Sequence, residues 1–285
     1  TNLSKSLREK LKETCFITSP QVARKQVSRL DGTIKYLWEL QDGNCIETVL
    51  MKYRHGNSLC ISTQVGCRMG CNFCASPLGG LVRHLTPSEM LEQVYETVRQ
   101  SGERVDSLVL MGIGEPLDNY DNVIRFLRLL TDPKGYNLGQ RHISLSTCGL
   151  VDRIYDLAKE DLGITLSISL HAPDNETRNK TMPVNRRWPV EQLMQACRDY
   201  FRTTGRRISF EYALIKGVND SPADAQKLEK LLDGMICHVN LIPVNPVKER
   251  GYDRTAQQDI RRFVDTLGRL GVNATVRREL GSDIN

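Results

Sequence analysis

No stretch of this 285-residue sequence approaches the roughly 18 consecutive apolar residues that a membrane-spanning helix needs, so no membrane is expected among its partners. The opening segment, TNLSKSLREKLKE, has no apolar core of the signal-peptide kind, and nothing in it points to export. No internal repeat or low-complexity tract stands out. With 40% hydrophobic and 26% charged residues, the chain has the composition of a folded globular protein, not of a disordered or fibrous one. A disulfide framework is missing too: the nine cysteines are odd in number and irregularly spaced. A chain this long buries enough surface to stand without staples. The expected setting is therefore a reducing cytoplasm, with thiols free to act as ligands or nucleophiles, and the expected state is a monomer. At roughly 150 residues per domain the length suggests one large domain or two small ones. The sequence starts at Thr1 without a methionine, a hint that something upstream was trimmed.

What is present begins with charge. The net value is only +5, but nine Lys/Arg face four Asp/Glu between Glu176 and Lys216. Such a window is compatible with nucleic-acid phosphates, although a solvated helix face is the commoner meaning of a basic run.

Hydrophobic patterning then predicts the elements. Residues 4–14 read as a short helix with Ser4 as N-cap and Leu7 and Leu11 one turn apart. Ile34, Tyr36, Trp38 and Leu40 alternate, and Asp42-Gly43 turns into CIETVLM, a β-hairpin signal. From about residue 58 short apolar strands alternate with longer helical stretches; the strands are placed at 58–62, 107–112, 142–147, 164–170, 208–215, 238–244 and 273–280. Thr86-Pro87-Ser88-Glu89 has capping-box spacing with Pro at the first helical position. Repeated strand–helix order implies parallel β-structure with right-handed crossovers, either an incomplete TIM-like barrel or an open doubly wound sheet.

The strongest local feature is Cys67-Arg-Met-Gly-Cys71-Asn-Phe-Cys74, in the loop after the first core strand. Three thiols in eight residues, with Gly66 and Gly70 among them, can wrap one metal centre. Structural zinc competes, but it asks for four protein ligands, and no nearby histidine or fourth cysteine has the usual pair spacing. Iron–sulfur clusters also normally take four cysteines. Three ligands therefore imply an open centre, with one iron left for an outside ligand.

Other residues collect at strand ends. Gly112 and Gly114 follow the strand LVLM, where a barrel keeps its site and glycine lets backbone approach a ligand. Glu115 could accept hydrogen bonds from an ammonium, though a lone loop glutamate is usually solvated. Ser146, Ser169, His171 and Asn245 close three further strands; singly, each would be read as a turn residue or a surface histidine.

Taken together, the cysteine spacing, Cys60-Ile-Ser-Thr-Gln-Val-Gly-Cys67, Met111-Gly-Ile-Gly-Glu-Pro116, Ser146-Thr-Cys-Gly149, Ser169-Leu-His-Ala172 and Leu241-Ile-Pro-Val-Asn-Pro246 make the chain resemble one group of radical S-adenosylmethionine enzymes. These are the RNA adenine carbon-2 methyltransferases that act on 23S ribosomal RNA and transfer RNA. The resemblance runs from about Leu3 to Asn285. It implies an α/β fold, an incomplete TIM-like (β/α)6 radical S-adenosylmethionine barrel over residues 56–285, preceded by a small helix and β-hairpin extension over residues 1–55. It also implies a [4Fe-4S] cluster on Cys67, Cys71 and Cys74, two S-adenosylmethionine molecules per turnover, and an electron donor such as flavodoxin. Cofactor contacts fall on Gly114, Glu115, Ser146, Ser169, Leu170, His171 and Asn245.

By the same resemblance Glu47 is the proton acceptor near the target adenine. Cys60, which alone would read as a small buried hydrophobe, is the thiol that resolves a covalent protein–RNA intermediate. Adenine carbon 2 is electrophilic and has no lone pair. The family therefore methylates a second cysteine near the C-terminus and passes that carbon to the base by a radical route. In the family that cysteine lies in Ala-Ala-Cys-Gly-Gln-Leu after a Gly-x-Asp-Ile segment, whereas this sequence reads Gly281-Ser-Asp-Ile-Asn285 and stops. The expectation is a barrel truncated before its methyl carrier, able to bind cluster and cofactor but not to complete transfer. Cys15, Cys45, Cys148, Cys197 and Cys237 are expected to be structural. The alternatives are a sister enzyme that methylates adenine carbon 8 and confers antibiotic resistance, a radical activase, and a non-catalytic metal-cluster RNA-binding protein.

Overall fold

The computed structural model describes residues 2–15, 19–245 and 247–284; Pro246 and Asn285, which end two of the motifs quoted above, lie outside them. Helix α1 (Lys5–Thr14) starts where expected, with Ser4 Oγ accepting the Leu7 N–H at 3.3 Å, but none of its residues is buried. Four antiparallel strands follow: β1 (Gln21–Val27), β2 (Ile34–Glu39), β3 (Cys45–Tyr53) and β4 (Gly56–Cys60). The β2–β3 hairpin is the one the alternation predicts. Ile34, Tyr36, Trp38 and Leu40 all point inward and are buried, and Gly43 supplies the left-handed turn residue at φ +79°.

A two-stranded sheet of β5 (Gln64–Gly66) and β6 (Leu81–His84) comes next. After it the chain alternates: α2 (Pro87–Ser101), β7 (Ser107–Leu110), α3 (Tyr120–Thr131), β8 (Ile143–Thr147), α4 (Val151–Leu157), β9 (Thr165–Ser169), α5 (Asn175–Thr181), α6 (Val190–Thr204), β10 (Ile208–Leu214), α7 (Pro222–Leu232), β11 (Cys237–Pro243), α8 (Gln257–Arg269) and β12 (Ala274–Val276). The reciprocal capping box is formed, Thr86 Oγ1 accepting the Glu89 N–H and Glu89 the Thr86 N–H.

All seven core strands fall on the predicted segments. They form one ten-stranded sheet, ordered β1-β2-β3-β4-β7-β8-β9-β10-β11-β12 and parallel from β4 onward. Every parallel connection carries a helix, which is the expected incomplete TIM-like arrangement; β1 and β12 stand at the two ends of the order and leave it open.

The two faces of this sheet differ in kind. Toward the helices stand Leu59, Leu108, Leu145, Leu166, Phe210 and Leu241, all fully buried. At roughly 25 cal/mol per Å² of apolar area removed from water, this layer supplies most of the driving force for folding. The other face is polar. Ser144 Oγ lies 2.8 Å from Ser167 Oγ, and Ser146 Oγ lies 3.2 Å from Ser169 Oγ. Glu211 accepts from Asn240 Nδ2 at 2.7 Å and Ser209 Oγ at 3.3 Å. Period-two alternation therefore encodes both the packed layer and the lining of the lumen. Beyond β12 the chain returns to the β1–β2 turn, where Asp283 accepts from Ser28 Oγ at 2.6 Å and from the Arg29 N–H at 2.8 Å.

Candidate active site

At the C-terminal ends of the parallel strands lies a cavity of about 380 Å³, within the size range of pockets that take nucleoside-sized ligands. One wall is the loop between β5 and β6, which carries Cys67, Cys71 and Cys74. The loop is closed at its base by the Cys67 N–H donating to the Gly80 carbonyl at 2.9 Å. It is tied on one side to α5 through the Asn72 N–H and the Thr181 carbonyl (2.8 Å), and on the other by Arg250 Nε donating to the Cys74 carbonyl at 3.1 Å. Arg68 at its start ion-pairs with Asp118.

Burial pushes the Cys67 thiol up to about 11 and the Cys71 thiol up to about 12, and the neighbouring thiols and Glu115 push in the same direction. Thiolates at Cys67 and Cys71 cannot coexist here without positive charge between them, and an iron–sulfur centre supplies it. Among the described residues, no three Cys, His, Asp or Glu side chains converge on a point that could hold a single ion. A four-iron cluster asks for something different, one thiolate on each of three irons. The donor set fits that group.

The opposite walls come from strand ends. Gly112 and Gly114 let the segment after β7 fold tightly over β5. A Cβ at Gly112 would meet the Ile61 carbonyl oxygen at 2.6 Å, and one at Gly114, where φ is +109°, would meet Gln64 Cβ at 2.7 Å. Glu115 is not the solvated loop residue that its position alone suggests. It is buried, with Oε1 accepting the Leu117 N–H at 3.0 Å and Oε2 the Cys148 N–H at 2.7 Å. Burial raises its pKa, and the hydrogen bonds oppose that rise.

Ser146, Ser169 and Asn245 all line the cavity, with Asn245 at its open side. His171 lines it too and is buried, the reverse of the surface residue its type would suggest. At φ +54° it turns its ring edge to Phe73, centroids 4.9 Å apart, and Nδ1 accepts the Ala213 N–H at 2.9 Å. The neutral ring therefore carries its hydrogen on Nε2. Leu170 is fully buried and does not line the cavity, its N–H donating to the Glu211 carbonyl at 3.1 Å.

Cys60 and Glu47 stand just outside the cavity wall. Cys60 ends β4, opposite Val49 on β3 and Val109 on β7, and burial raises its pKa, with Arg277 opposing and Glu47 adding to the rise. Glu47 is 41% exposed and ion-pairs with Lys35 at 2.8 Å. Arg277 lines the cavity and stands within electrostatic reach of both Cys60 and Glu211. Sequence reasoning missed Arg277, Glu211 and Cys148 as cavity residues. Glu211 left a readable trace, a carboxylate in phase with Ser209 and Ala213 on one face of an apolar strand.

Burial, with the Arg178 charge adding, drives the His171 pKa down to about 3, whereas unfolded histidine titrates near 6.5. The unfolded chain then binds one proton more than the folded one between those values. The contribution is fully present above about pH 6.5 and is lost as pH falls toward 3, at up to about 1.4 kcal/mol per pH unit. Denaturant unfolding from pH 4 to 7 should show this slope, reduced by one proton in His171→Asn; identical slopes would refute it.

Fold and cavity together define a radical S-adenosylmethionine enzyme, and the family model of the Radical SAM superfamily matches residues 61–228. A protein of Clostridium novyi (strain NT) named "Probable dual-specificity RNA methyltransferase RlmN" is 56% identical over all of this chain and 83% of its own length. A protein of the same name from Lachnospira eligens is 55% identical, over all of this chain and 81% of its own. The crystal structure of a radical SAM methyltransferase from Sphaerobacter thermophilus superposes with a TM-score of 0.94 at 44% identity, covering 99% of this chain and 84% of that one. The chain belongs, within the radical SAM superfamily, to the family of the dual-specificity RNA methyltransferases. It is a radical SAM RNA methyltransferase whose cofactors are a [4Fe-4S] cluster and S-adenosylmethionine.

Proposed function

We propose that the enzyme methylates carbon 2 of a specific adenine in 23S ribosomal RNA and in transfer RNA, working as a monomer in the cytoplasm with a flavodoxin-like electron donor. The observation that carries this reading is a single cavity that gathers three loop thiols and the Gly114–Glu115, Ser146, Ser169, His171 and Asn245 rim. When bound, the cluster and S-adenosylmethionine supply the one-electron chemistry and the methyl group. Cys67, Cys71 and Cys74 hold the cluster. Gly114 gives its backbone to the cofactor, Ser146 and Ser169 their hydroxyls, His171 its Nε2–H and Asn245 its amide, while Leu170 sets the backbone that aims His171. Glu115 braces that wall and adds negative charge toward an ammonium.

Glu47 and Cys60 act on the RNA side. Lys35 holds the Glu47 carboxylate in place through an ion pair at 2.8 Å, and the carbon-2 proton of the adenine passes to that carboxylate. Cys60, with Arg277 nearby to favour its thiolate, attacks the carrier sulfur. The bond from that sulfur to the transferred carbon breaks, and its electron pair goes to that carbon, which takes a proton and stays on the base as the methyl group. The two sulfurs are left as a disulfide. An electrophilic ring carbon needs this two-thiol route, because ordinary nucleophilic methyl transfer has no lone pair to use there.

The test is anaerobic reconstitution with iron and sulfide counts, followed by 5′-deoxyadenosine release on dithionite reduction. A polypeptide extended through the family's Ala-Ala-Cys-Gly-Gln-Leu segment is then assayed on 23S ribosomal and transfer RNA by nucleoside mass spectrometry. The expected product is 2-methyladenine. Finding 8-methyladenine would move the enzyme to the sister activity, and a colourless, zinc-loaded protein would end the radical reading.

Part of the basic window from 176 to 216 follows β9 at the cavity end of the sheet, where Met182 lines the cavity, whereas Arg206 and Arg207 precede β10 at the opposite end. Burial removes Arg178 and Glu211 from the window's surface, which leaves eight Lys/Arg against three Asp/Glu. Arg186 and Arg187 are exposed, and Arg187 stacks on Trp188 with 4.3 Å to the ring centroid. Changing both to Gln should weaken RNA binding and lower the slope of log K against log salt by between 1 and 2, about 0.7–0.9 for each phosphate no longer neutralised. Titrations of a fluorescent RNA hairpin at several salt concentrations measure this, and an unchanged slope would remove the two arginines from the interface.

A further inference from the structure

Among the described residues, the positive charge of Arg178 meets no carboxylate. The side chain is fully buried, and each hydrogen bond it makes ends on a neutral acceptor. Nε donates to the Leu170 carbonyl at 3.1 Å and Nη1 to Asn185 Oδ1 at 3.1 Å, while Nη2 donates to the Cys148 and Ser169 carbonyls at 2.5 and 3.2 Å. Asn185 is held in the accepting orientation because its own Nδ2 donates to Asn175 Oδ1 at 3.0 Å and Asn179 Oδ1 at 2.8 Å. Among the described residues no Asp or Glu lies within ion-pair distance of the guanidinium. A buried cation without a counter-charge is strongly unfavourable, so something must compensate it when the protein works.

What faces it is the candidate metal centre. Its electrostatic neighbours are thiols, Cys148 and then Cys71, followed by Cys197. The helix that carries it, α5, holds the cysteine loop at its far end, where Asn72 Nδ2 and N–H donate to the Lys180 and Thr181 carbonyls at 2.5 and 2.8 Å. Met182, which follows α5, lines the cavity, as do Cys71, Cys148 and Ser169. A Cβ at Gly149 would lie 3.4 Å from Arg178 Nη2, so the backbone there closes over the guanidinium.

We propose that Arg178 is the buried counter-charge of the cluster held by Cys67, Cys71 and Cys74, and that it raises the cluster's reduction potential. This rests on the cluster reading above. Three thiolates and a cluster carry net negative charge, and reduction adds one electron from a one-electron donor without making or breaking a bond in the protein. A fixed cation beside the centre favours the more negative form. Arg178 is thus a positioning residue that acts by field, distinct from the thiols that bind. A purely structural role would need its N–H groups to tie the ends of β8 and β9 together but would not need its charge, and this separates the two explanations.

The experiment is an EPR-monitored redox titration of anaerobically reconstituted protein, without S-adenosylmethionine or RNA, in wild type, Arg178→Lys, Arg178→Met and Asn185→Asp. At the poise where the wild-type cluster is half reduced, Arg178→Met should show a reduced-to-oxidised ratio about tenfold lower, a shift of about 59 mV for one electron. Arg178→Lys, which keeps the charge, should stay within about twofold of wild type. Asn185→Asp leaves the guanidinium in place but neutralises it, and should shift in the direction of Arg178→Met. An unmoved Asn185→Asp, or an Arg178→Lys displaced as far as Arg178→Met, overturns the proposal. So does an Arg178→Lys that cannot load iron where Arg178→Met can. Should Arg178→Met fail to fold or to load, the Asn185→Asp and Arg178→Lys pair decides alone. Wild-type iron and sulfide counts report separately on the cluster reading, since a protein without iron sinks that reading before any potential is measured.

Discussion

Cys71→Ala should fall from about four irons per chain to less than one after reconstitution and should release no 5′-deoxyadenosine above background, while its apo form unfolds within a few degrees of wild type. Cys71 is the choice among the three thiols because it faces inward, against Cys148 and Arg178, and burial pushes its pKa up to about 12. Its thiol is pushed further up than that of Cys67, so it gains more from a metal. Its partial burial means that truncation costs only about 1 kcal/mol of packing, so loss of iron cannot be blamed on loss of fold. Cys197→Ala is the matched control. That thiol is fully buried on α6 and faces helix packing instead of the cavity. It should lose up to about 2 kcal/mol of stability and keep all its iron. A Cys71→Ala protein that loads iron as well as Cys197→Ala would remove the loop from the cluster.

The sequence carried the parallel core because each strand there is short, apolar on one face and separated from the next by a helical segment, so that local signals and final packing agree. It was silent on β1, an edge strand whose residues are nearly all exposed, and on α5, whose sequence NETRNKT has no apolar residue to give a period. β1 is held by its pairing with β2, and α5 by its Asp174 N-cap and the contacts of Arg178 with other segments. The cysteine loop was legible because its chemistry is written in spacing. The rim residues were legible only in combination, since a serine at a strand end is a turn former until other strands bring further polar groups beside it. Glu115 and His171 show the cost of reading residues one at a time: each belongs to a type usually found in water, and each is buried by hydrogen bonds from chain segments that sequence proximity does not reveal. Arg178 lay inside a run that looked like surface charge, and only its burial distinguishes it from Arg186 and Arg187.

Gly66→Ala should disable cluster loading through geometry alone, with no ligand touched. Gly66 ends β5 at a bulge opposite Leu81 and holds φ +75°. A Cβ there would lie 1.9 Å from the Gly80 carbonyl oxygen, the same oxygen that accepts the Cys67 N–H at 2.9 Å. Contact at that range is backbone against backbone, so no rotamer relieves it, and the two ends of the cysteine loop must move apart. The cost is about 4 kcal/mol or more, in the range reserved for strain at a special backbone position. It falls on a two-stranded sheet separate from the ten-stranded one, so the loop should open while the barrel persists. Gly80→Ala isolates the conformational part. Its φ is +68°, but a Cβ there meets nothing within 4 Å, leaving only the left-handed penalty of about 1–2 kcal/mol. Limited proteolysis between residues 67 and 80, together with iron counts, should therefore separate the pair: rapid cleavage and little iron for Gly66→Ala, near wild-type behaviour for Gly80→Ala. Equal loading of the two would mean that the cluster itself, and not the closure of the hairpin beneath it, organises the three thiols.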